Sequence, residues 1–193
     1  MIYVMSDIHG HLEEFKEAIK SVDLKNDNQL ILLGDYIDFG PESEGVCRLI
    51  MKLQNVYGKR KIIALKGNHE FDYIENHIHE EKFSIDIVNW MSNLPLYYES
   101  KNYIFVHAGI NELYDDFKDE PVFEYTLVGK YPPTVGRYHK TIVAGHTSSK
   151  SLYEHNLNIG TYEKGIYHDG MSHYYIDGSF EKPFFIPVLI LEN

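Results

Sequence analysis

The sequence predicts an α/β fold in which two packed β-sheets lie between layers of helices. Three observations support this fold class. Strand-like and helix-like patterns alternate through the first half, a βαβαβα order that buries strands between helices. The second half contains short strand-like runs separated by glycine-bearing turns, which indicates a second, mixed sheet. The length of 193 residues fits one domain over residues 1–193, large enough for a core without disulfide bonds.

Apolar runs and spacings in the first half of the sequence predict its strands and helices in order. The apolar run IYVM predicts a strand, and apolar residues spaced by three, four and three over residues 12–22 predict a helix. The run LILL predicts the second strand. Pro41 then marks the start of a second helix, which ends near Gly58. The run IIAL predicts the third strand, followed by a short helical stretch and by another helix over residues 83–91.

The second half predicts mostly strands. The segment LYYESKNYIFVHAGI indicates a hairpin that turns at residues 100–102. Further strands are predicted in TIVAGHT, in GIYHDGMSHYYIDGS and in FIPVLILE. The acidic segment 111–125 allows two interpretations. It is either a solvated loop or short helix, or a lid that faces substrate.

Composition excludes several function classes. The formal charge of −11 disfavours binding to a nucleic-acid polymer or to an anionic membrane, but it allows a small phosphorylated substrate held by cations. The single cysteine, Cys47, sits at a helix-like apolar spacing and fits a reducing compartment. From Met1 the chain enters a strand-like run without a signal-peptide pattern, so we expect a cytoplasmic location. The oligomeric state is left open.

Residues that can bind metal ions stand where the strand-like runs end. These clusters are Asp7-x-His9, Gly34-Asp35-x-x-Asp38, Gly67-Asn68-His69-Glu70, His107-Ala108-Gly109, Gly145-His146-Thr147 and Asp177-Gly178. The carboxyl ends of parallel strands meet at one edge of an open α/β sheet, where ligands bind. Carboxylates beside imidazoles suit Mn²⁺, Fe or Zn²⁺. The pattern therefore predicts a hydrolase with two divalent metal ions, for which Mn²⁺ is the preferred assignment.

Two residues of these clusters suit proton transfer better than metal binding. His69 follows Asn68 directly and so points in another direction, which suits a general acid. Asp38 is either a cap of the following turn or the partner that holds His69 protonated. Glu70 is interpreted as a favourable charge near a helix start. The histidines outside the clusters are interpreted as surface or ordinary polar residues.

The predicted mechanism is direct attack of water on a phosphoester. Two metal ions would lower the pKa of a bridging water from ~16 towards neutrality. The sequence contains neither a Ser-x-Gly elbow nor a P-loop, and Cys47 has no arginine at the spacing of a cysteine-dependent phosphatase. A covalent nucleophile is therefore not indicated.

The ordered motifs Asp7-x-His9-Gly10, Gly34-Asp35-x-x-Asp38, Gly67-Asn68-His69-Glu70, His107-Ala108-Gly109 and Gly145-His146-Thr147 resemble the calcineurin-like metallophosphoesterase superfamily. Within it the chain is most similar to small bacterial PPP-type serine/threonine protein phosphatases. The resemblance implies a four-layer αββα sandwich of two mixed sheets. It also implies one metal on Asp7, His9 and Asp35, and a second on Asp35, Asn68, His107 and His146. His69, paired with Asp38, would protonate the leaving group.

One position departs from the PPP-type pattern. Phe39 stands where these phosphatases have an arginine that binds the substrate phosphate, and an aromatic ring cannot replace a bidentate guanidinium. Phe39 is therefore a candidate substrate contact of another kind. Lys130 and Arg137 are further candidate substrate-binding residues, because they lie in the interval where the family has its second phosphate-binding arginine.

Three functions remain after these arguments. The preferred hypothesis is a metal-dependent phosphoesterase that acts on phosphomonoesters of proteins or small molecules as a serine/threonine protein phosphatase. The alternative is a hydrolase of nucleotides or dinucleoside polyphosphates such as diadenosine tetraphosphate, with Phe39 stacked on a base. The third is a non-catalytic scaffold, which the six retained ligand candidates disfavour.

Overall fold

The computed structural model describes residues 1–119, 121–126, 138–155, 159–178 and 183–192. Its strands are β1 (Ile2–Met5), β2 (Gln29–Leu32), β3 (Ile62–Ala64), β4 (Tyr97–Glu99), β5 (Tyr103–Val106), β6 (Thr141–Ser148), β7 (Thr161–Glu163), β8 (Ile166–His168), β9 (His173–Asp177) and β10 (Leu189–Leu191). Its α-helices are α1 (Leu12–Ile19), α2 (Ser43–Tyr57), α3 (Asn68–Asp72), α4 (Ile85–Ser92), α5 (Val122–Thr126) and α6 (Ser149–His155).

The strands form two sheets, as predicted. The first sheet has the order β10-β1-β2-β3, in which β1, β2 and β3 are parallel and β10 is antiparallel to β1. The second sheet has the order β4-β5-β6-β9-β8-β7, with β5, β6 and β9 parallel at its centre. Both sheets therefore contain a set of parallel strands whose carboxyl ends meet at one edge.

Alternation of side chains along the strands separates the apolar layers. In β1, Ile2 and Val4 point into the space between the sheets, where they belong to one cluster with Phe105 of β5. Their neighbours Tyr3 and Met5 point the other way and pack against α1, α2 and α4. A third cluster covers the outer face of the second sheet and includes α6. The layers are those of the predicted αββα sandwich. Within the described ranges, no helix has the length and apolar character that crossing a bilayer requires.

The acidic segment packs on the outer face of the second sheet. Phe117 and Tyr125 are buried in the cluster on that face, and the Tyr125 hydroxyl donates to the carbonyl of Phe117. The backbone N–H of Ala108 donates to the Tyr125 carbonyl at 2.7 Å. The residues of this segment that the structure describes do not line the cavity at the strand ends. Their placement favours the loop-and-helix interpretation over the lid.

The structure confirms one predicted turn and changes the boundaries of two predicted segments. The predicted hairpin at residues 100–102 is present as β4 and β5. The first helix ends at Ile19, and Val22 packs on the core just beyond it. The long run GIYHDGMSHYYIDGS contains two strands, β8 and β9, because Asp169 makes a turn by accepting from the backbone N–H groups of residues 171–173.

Candidate metal centre

The parallel strands of both sheets deliver the predicted residues to one cavity. Asp7 follows β1, Asp35 follows β2, Asn68 follows β3 and His146 lies in the last part of β6. These four side chains line a cavity of about 340 Å³, together with His9, His69 and Asp177. His107, which follows β5, is fully buried behind the cavity wall. Residues far apart in the chain are therefore in direct contact here. The backbone N–H of His146, for example, donates to the carboxylate of Asp7, 139 positions away.

The backbone is strained at these positions. Ten non-glycine residues in the described ranges have positive φ, and six of them lie at this site. The six are Asp7, His9, Asp35, Asp38, Phe39 and His146. Such conformations are rarely adopted without glycine and cluster at functional sites, where they aim side chains that a relaxed turn would direct elsewhere. Glycine is needed nearby for a different reason, since a Cβ at Gly67 would overlap the Asp35 carboxylate.

The first candidate ligand group combines Asp7, His9 and Asp35. The Nδ1 of His9 lies 3.0 Å from the carbonyl oxygen of Ile37. Because a carbonyl can only accept, Nδ1 carries the proton, and Nε2 is left with its lone pair. That Nε2 faces the carboxylate oxygens of Asp35 at 3.6 Å and Asp7 at 3.9 Å. A nitrogen lone pair and two carboxylates converging in this way suit a divalent cation.

The second candidate group combines Asn68, His107 and His146 with the same Asp35. The amide oxygen of Asn68 lies 2.9 Å from His107 Nε2 and 2.9 Å from His146 Nδ1. His107 Nε2 also lies 3.3 Å from Asp35 Oδ2. The ligand atoms of Asp35, His107 and His146 lie within 4.8 Å of one another. Asp35 is thus shared by both groups, the position that a bridging carboxylate would occupy.

The electrostatics of the cavity fit bound cations. Burial raises the pKa of Asp7 well above its usual range, and repulsion from Asp177 adds to the effect. Burial acts on Asp35 in the same direction, but attraction to His107, to His9 and to His69 together outweighs it and lowers the pKa of Asp35. Burial disfavours charge on His107, yet attraction to Asp35 raises its pKa to about 9. The buried carboxylates of Asp7, Asp35 and Asp177 carry more negative charge than the neighbouring histidines offset. Bound divalent cations would offset this excess negative charge. The residues present fit a divalent metal centre.

His69 and Asp38 are in contact, as predicted. The distance from His69 Nδ1 to Asp38 Oδ2 is 2.7 Å. The opposite nitrogen, Nε2, lies 3.9 Å from Asp35 Oδ2 and so faces the candidate metal ligands. The backbone N–H of His69 donates to Asp35 Oδ1 at 3.1 Å, which fixes the start of α3 against the β2 loop. This geometry suits a proton donor above the centre, and that role stays a prediction.

Glu70 has a larger part than a charge near a helix start. It is completely buried, and its carboxylate accepts from three backbone N–H groups: those of Asp35 at 2.9 Å, Tyr36 at 2.7 Å and Gly67 at 2.9 Å. Burial raises the pKa of Glu70 to about 7, with repulsion from Asp35 as the next cause. The side chain ties the β2 loop to the β3 loop and so holds two ligand-bearing segments together.

Replacing Glu70 by glutamine is expected to lower the free energy of unfolding by about 2–4 kcal/mol. An amide nitrogen cannot accept, so at least one of the three buried N–H groups would face another donor. Urea denaturation followed by circular dichroism measures the change. Glu75→Gln is the matched control, because Glu75 is exposed a few residues further along the chain. A loss for Glu70→Gln below about 0.5 kcal/mol, the usual surface value, would contradict this bracing role.

The remaining predicted residues have mixed outcomes. Phe39 lies on the cavity, with its ring centroid 4.8 Å from that of His9 and 5.2 Å from that of His69. Lys130 and Arg137 fall outside the described residues, so their predicted substrate contacts remain predictions.

Two cavity residues escaped the sequence analysis, and a third was left without a role. His11 was predicted to be an ordinary polar residue but lines the cavity, stacked on Phe184 with centroids 4.0 Å apart. Phe184 had no motif to mark it, and its position next to His11 comes only from folding. Asp177, at the end of β9, is 2% exposed and contributes to the negative charge around Asp7. Its place at the end of a strand-like run indicates it, but the sequence alone assigns no role to it.

Comparison with known families gives one match over most of the chain. The family model for calcineurin-like phosphoesterases matches residues 1–177. Among curated proteins, the symmetrical bis(5'-nucleosyl)-tetraphosphatase of Wigglesworthia glossinidia brevipalpis is 34% identical over 130 residues, which is 58% of this chain and 46% of that protein. A putative serine/threonine-protein phosphatase of Caenorhabditis elegans is 36% identical over 69 residues, 36% of this chain and 15% of that protein. The matched region thus spans less than half the length of these relatives.

Solved structures share the fold. A putative diadenosine tetraphosphatase superposes with a TM-score of 0.64 at 19% identity, covering 91% of this chain and 82% of that chain. A serine/threonine phosphatase from Saccharomyces cerevisiae gives a TM-score of 0.63 at 16% identity, covering 91% of this chain and 66% of that chain. At these identities the likeness concerns the αββα architecture alone.

Proposed function

The chain belongs to the calcineurin-like phosphoesterase family, and from that membership we propose that it hydrolyses dinucleoside polyphosphates such as diadenosine tetraphosphate. The sequence alone favoured a protein phosphatase, with this activity as the alternative. The bis(5'-nucleosyl)-tetraphosphatases among the curated relatives support the alternative. The structural observation that carries it is Phe39, which is 82% exposed at the cavity, where a protein phosphatase of the family would present a guanidinium.

The proposed cofactors are two divalent cations. Asp7, His9 and Asp35 would hold one of them, and Asp35 would share the other with the second ligand group of Asn68, His107 and His146. Mn²⁺ is proposed first, while mixed nitrogen and oxygen ligands also accept Fe or Zn²⁺. When bound, the cations would supply charge neutralisation at the phosphates and lower the pKa of water in the cavity.

His69, held in place by Asp38, would protonate the oxygen that leaves when the tetraphosphate is cleaved. Water gives up one proton to the solvent and forms a new P–O bond at an inner phosphorus, and the P–O bond to the bridging oxygen of the tetraphosphate breaks. His69 would give that oxygen its proton from Nε2, which faces the cavity floor. Asp38, bound to Nδ1, keeps the ring in this orientation and stabilises its charge. Cleavage in the middle of the tetraphosphate yields two nucleoside diphosphates.

A substrate panel tests the proposal. We expect the Mn²⁺-loaded protein to cleave diadenosine tetraphosphate with a higher kcat/KM than a phosphoserine peptide, p-nitrophenyl phosphate or bis(p-nitrophenyl) phosphate. Chromatography should find two ADP per substrate consumed. The control is the same protein treated with a chelator, which should lose all of these activities. A preference for the phosphopeptide would instead support the protein phosphatase, and activity that survives complete metal removal would contradict the metal-dependent mechanism.

A further inference from the structure

Aromatic rings line the cavity at two places beyond the candidate metal ligands. One is Phe39, in the loop after β2. The other is the pair formed by His11, at the start of α1, and Phe184, which precedes β10. None of these three rings belongs to the proposed hydrolytic groups. All three lie on the same cavity as Asp35 and His69, so they are available to the part of a substrate that extends beyond its phosphates.

Phe39 has a conformation that packing does not explain. The residue is 82% exposed, and its φ is +58°, in the left-handed region that bulky residues rarely adopt. Its contacts to His9 and His69 are edge contacts, with interplanar angles of 75° and 66°. A strained backbone that holds an apolar ring in water at a site is the pattern expected of a ligand contact.

The second platform is built from segments far apart in the chain. His11 and Phe184 stack with an interplanar angle of 27° and a centroid distance of 4.0 Å. The stack fixes the orientation of Phe184 beside the cavity, since one ring supports the other. Phe184 is only partly buried and His11 keeps 28% of its side chain exposed, so the pair remains reachable from solvent.

We infer that Phe39 and the His11–Phe184 pair are the specificity-determining platforms on which the two nucleobases of the substrate stack. This inference rests on the proposed function. A dinucleoside polyphosphate carries its charge in the middle and a flat base at each end. The cavity lining has the same division, since the carboxylates and imidazole of Asp7, His9 and Asp35 are buried, whereas Phe39 is exposed and the His11–Phe184 pair is partly exposed. Its volume of about 340 Å³ is near the lower limit for small-molecule sites, so the ends of a dinucleotide would lie against the rim.

The division of charge favours bases over a peptide as the occupant of these platforms. Nucleobases stack on phenylalanine and histidine rings with little dependence on sequence, because every base has a π-face. A phosphopeptide would bring a single phosphate and no flat group at a fixed distance from it. The platforms therefore predict that affinity comes from bases, where the family's protein phosphatases use arginine.

The test compares substrates with and without bases in matched variants. For Phe184→Leu and for Phe39→Leu, we expect the ratio of kcat/KM for diadenosine tetraphosphate to that for p-nitrophenyl phosphate to fall about tenfold, mainly through KM, which is the scale of one lost base stack. Phe184→Trp should keep the ratio, because it retains an aromatic face. Phe185→Leu is the matched control, since Phe185 is adjacent and does not line the cavity. Thermal unfolding of each variant checks that it is folded.

The outcomes separate this inference from the proposed function. If the unmodified protein hydrolyses p-nitrophenyl phosphate but not the dinucleotide, the proposed function is wrong, and the assignment of the stacking platforms is wrong too. If the protein cleaves the dinucleotide and the leucine variants keep the original ratio, the function stands and the platforms are contradicted. A fall in the ratio for Phe185→Leu as large as for Phe184→Leu would also overturn the assignment, because the loss would then be nonspecific.

Discussion

Replacing Asp35 by asparagine is expected to remove divalent metal and hydrolytic activity together. Asp35 Oδ2 lies 3.3 Å from His107 Nε2, 3.6 Å from His9 Nε2 and 3.9 Å from His69 Nε2, so it is the shared contact of both candidate ligand groups. An amide has one oxygen and no charge, and cannot bridge two cations. The expected loss of kcat/KM is on the order of 10³-fold or more, corresponding to several kcal/mol of lost charge stabilisation.

Elemental analysis of the purified variant measures the metal content, and hydrolysis of p-nitrophenyl phosphate measures the activity. Asp27→Asn is a suitable control, because Asp27 is an exposed acid in the loop before β2 and removes the same charge far from the cavity. Retention of both metals in Asp35→Asn, with kcat close to that of the unmodified protein, would show that the bridging assignment is wrong.

The candidate ligands could be predicted because they follow a topological rule. Asp7, Asp35 and Asn68 come directly after parallel strands, and strands of this kind end at one edge whatever their exact pairing. The rule needs only the apolar runs and the polar residue after each, both of which are local in the sequence. The pairing of His69 with Asp38 was predictable for a related reason, since each lies just past a strand end of the same sheet.

Other features depend on contacts that no local pattern encodes. Phe184 stacks on His11 across 173 positions, the difference between their residue numbers, and neither residue lies in a motif. Two of the three bonds of Glu70 reach backbone groups of the β2 loop, whose positions depend on the left-handed conformation of Asp35. The acidic segment was ambiguous because its charge predicts solvent exposure. Its anchoring residues are Phe117 and Tyr125, two isolated apolar residues in the sequence. They contact the outer face of the second sheet only in the folded protein.

The substrate class is harder to predict from the sequence than the candidate metal centre, for a physical reason. The candidate metal ligands would act, through bound cations, on a phosphate group, which is common to protein and nucleotide substrates, so they do not discriminate between these substrates. Discrimination depends on groups outside the centre, such as Phe39. A single aromatic residue in place of arginine is compatible with several ligands until its exposure and neighbours are known. Phe39 is exposed at a cavity that the His11–Phe184 stack also lines. This combination is why phenylalanine in place of arginine favours nucleobases as the bound groups.

Replacing His69 by asparagine is expected to leave the bound metal in place and to lower kcat by about 10²- to 10⁴-fold. The imidazole is held at 2.7 Å by Asp38 with Nε2 towards the cavity floor, a geometry that suits protonation of a leaving oxygen. A general acid matters more when the leaving group is more basic. The loss should therefore be larger for phenyl phosphate than for p-nitrophenyl phosphate, whose leaving group departs without a proton.

The competing role for His69 is that of a metal ligand, because its ring nitrogen lies close enough to His9 and Asp35 to share a cation with them. Metal content separates the two roles: a ligand variant loses metal, whereas a proton-donor variant keeps it. His77→Asn is the matched control, since His77 is also held by carboxylates, with Nδ1 2.7 Å from Glu80, but lies outside the cavity. Loss of metal from His69→Asn, or an equal loss of rate for the two phenyl esters, would contradict the general-acid assignment, because neither follows from removal of a proton donor alone.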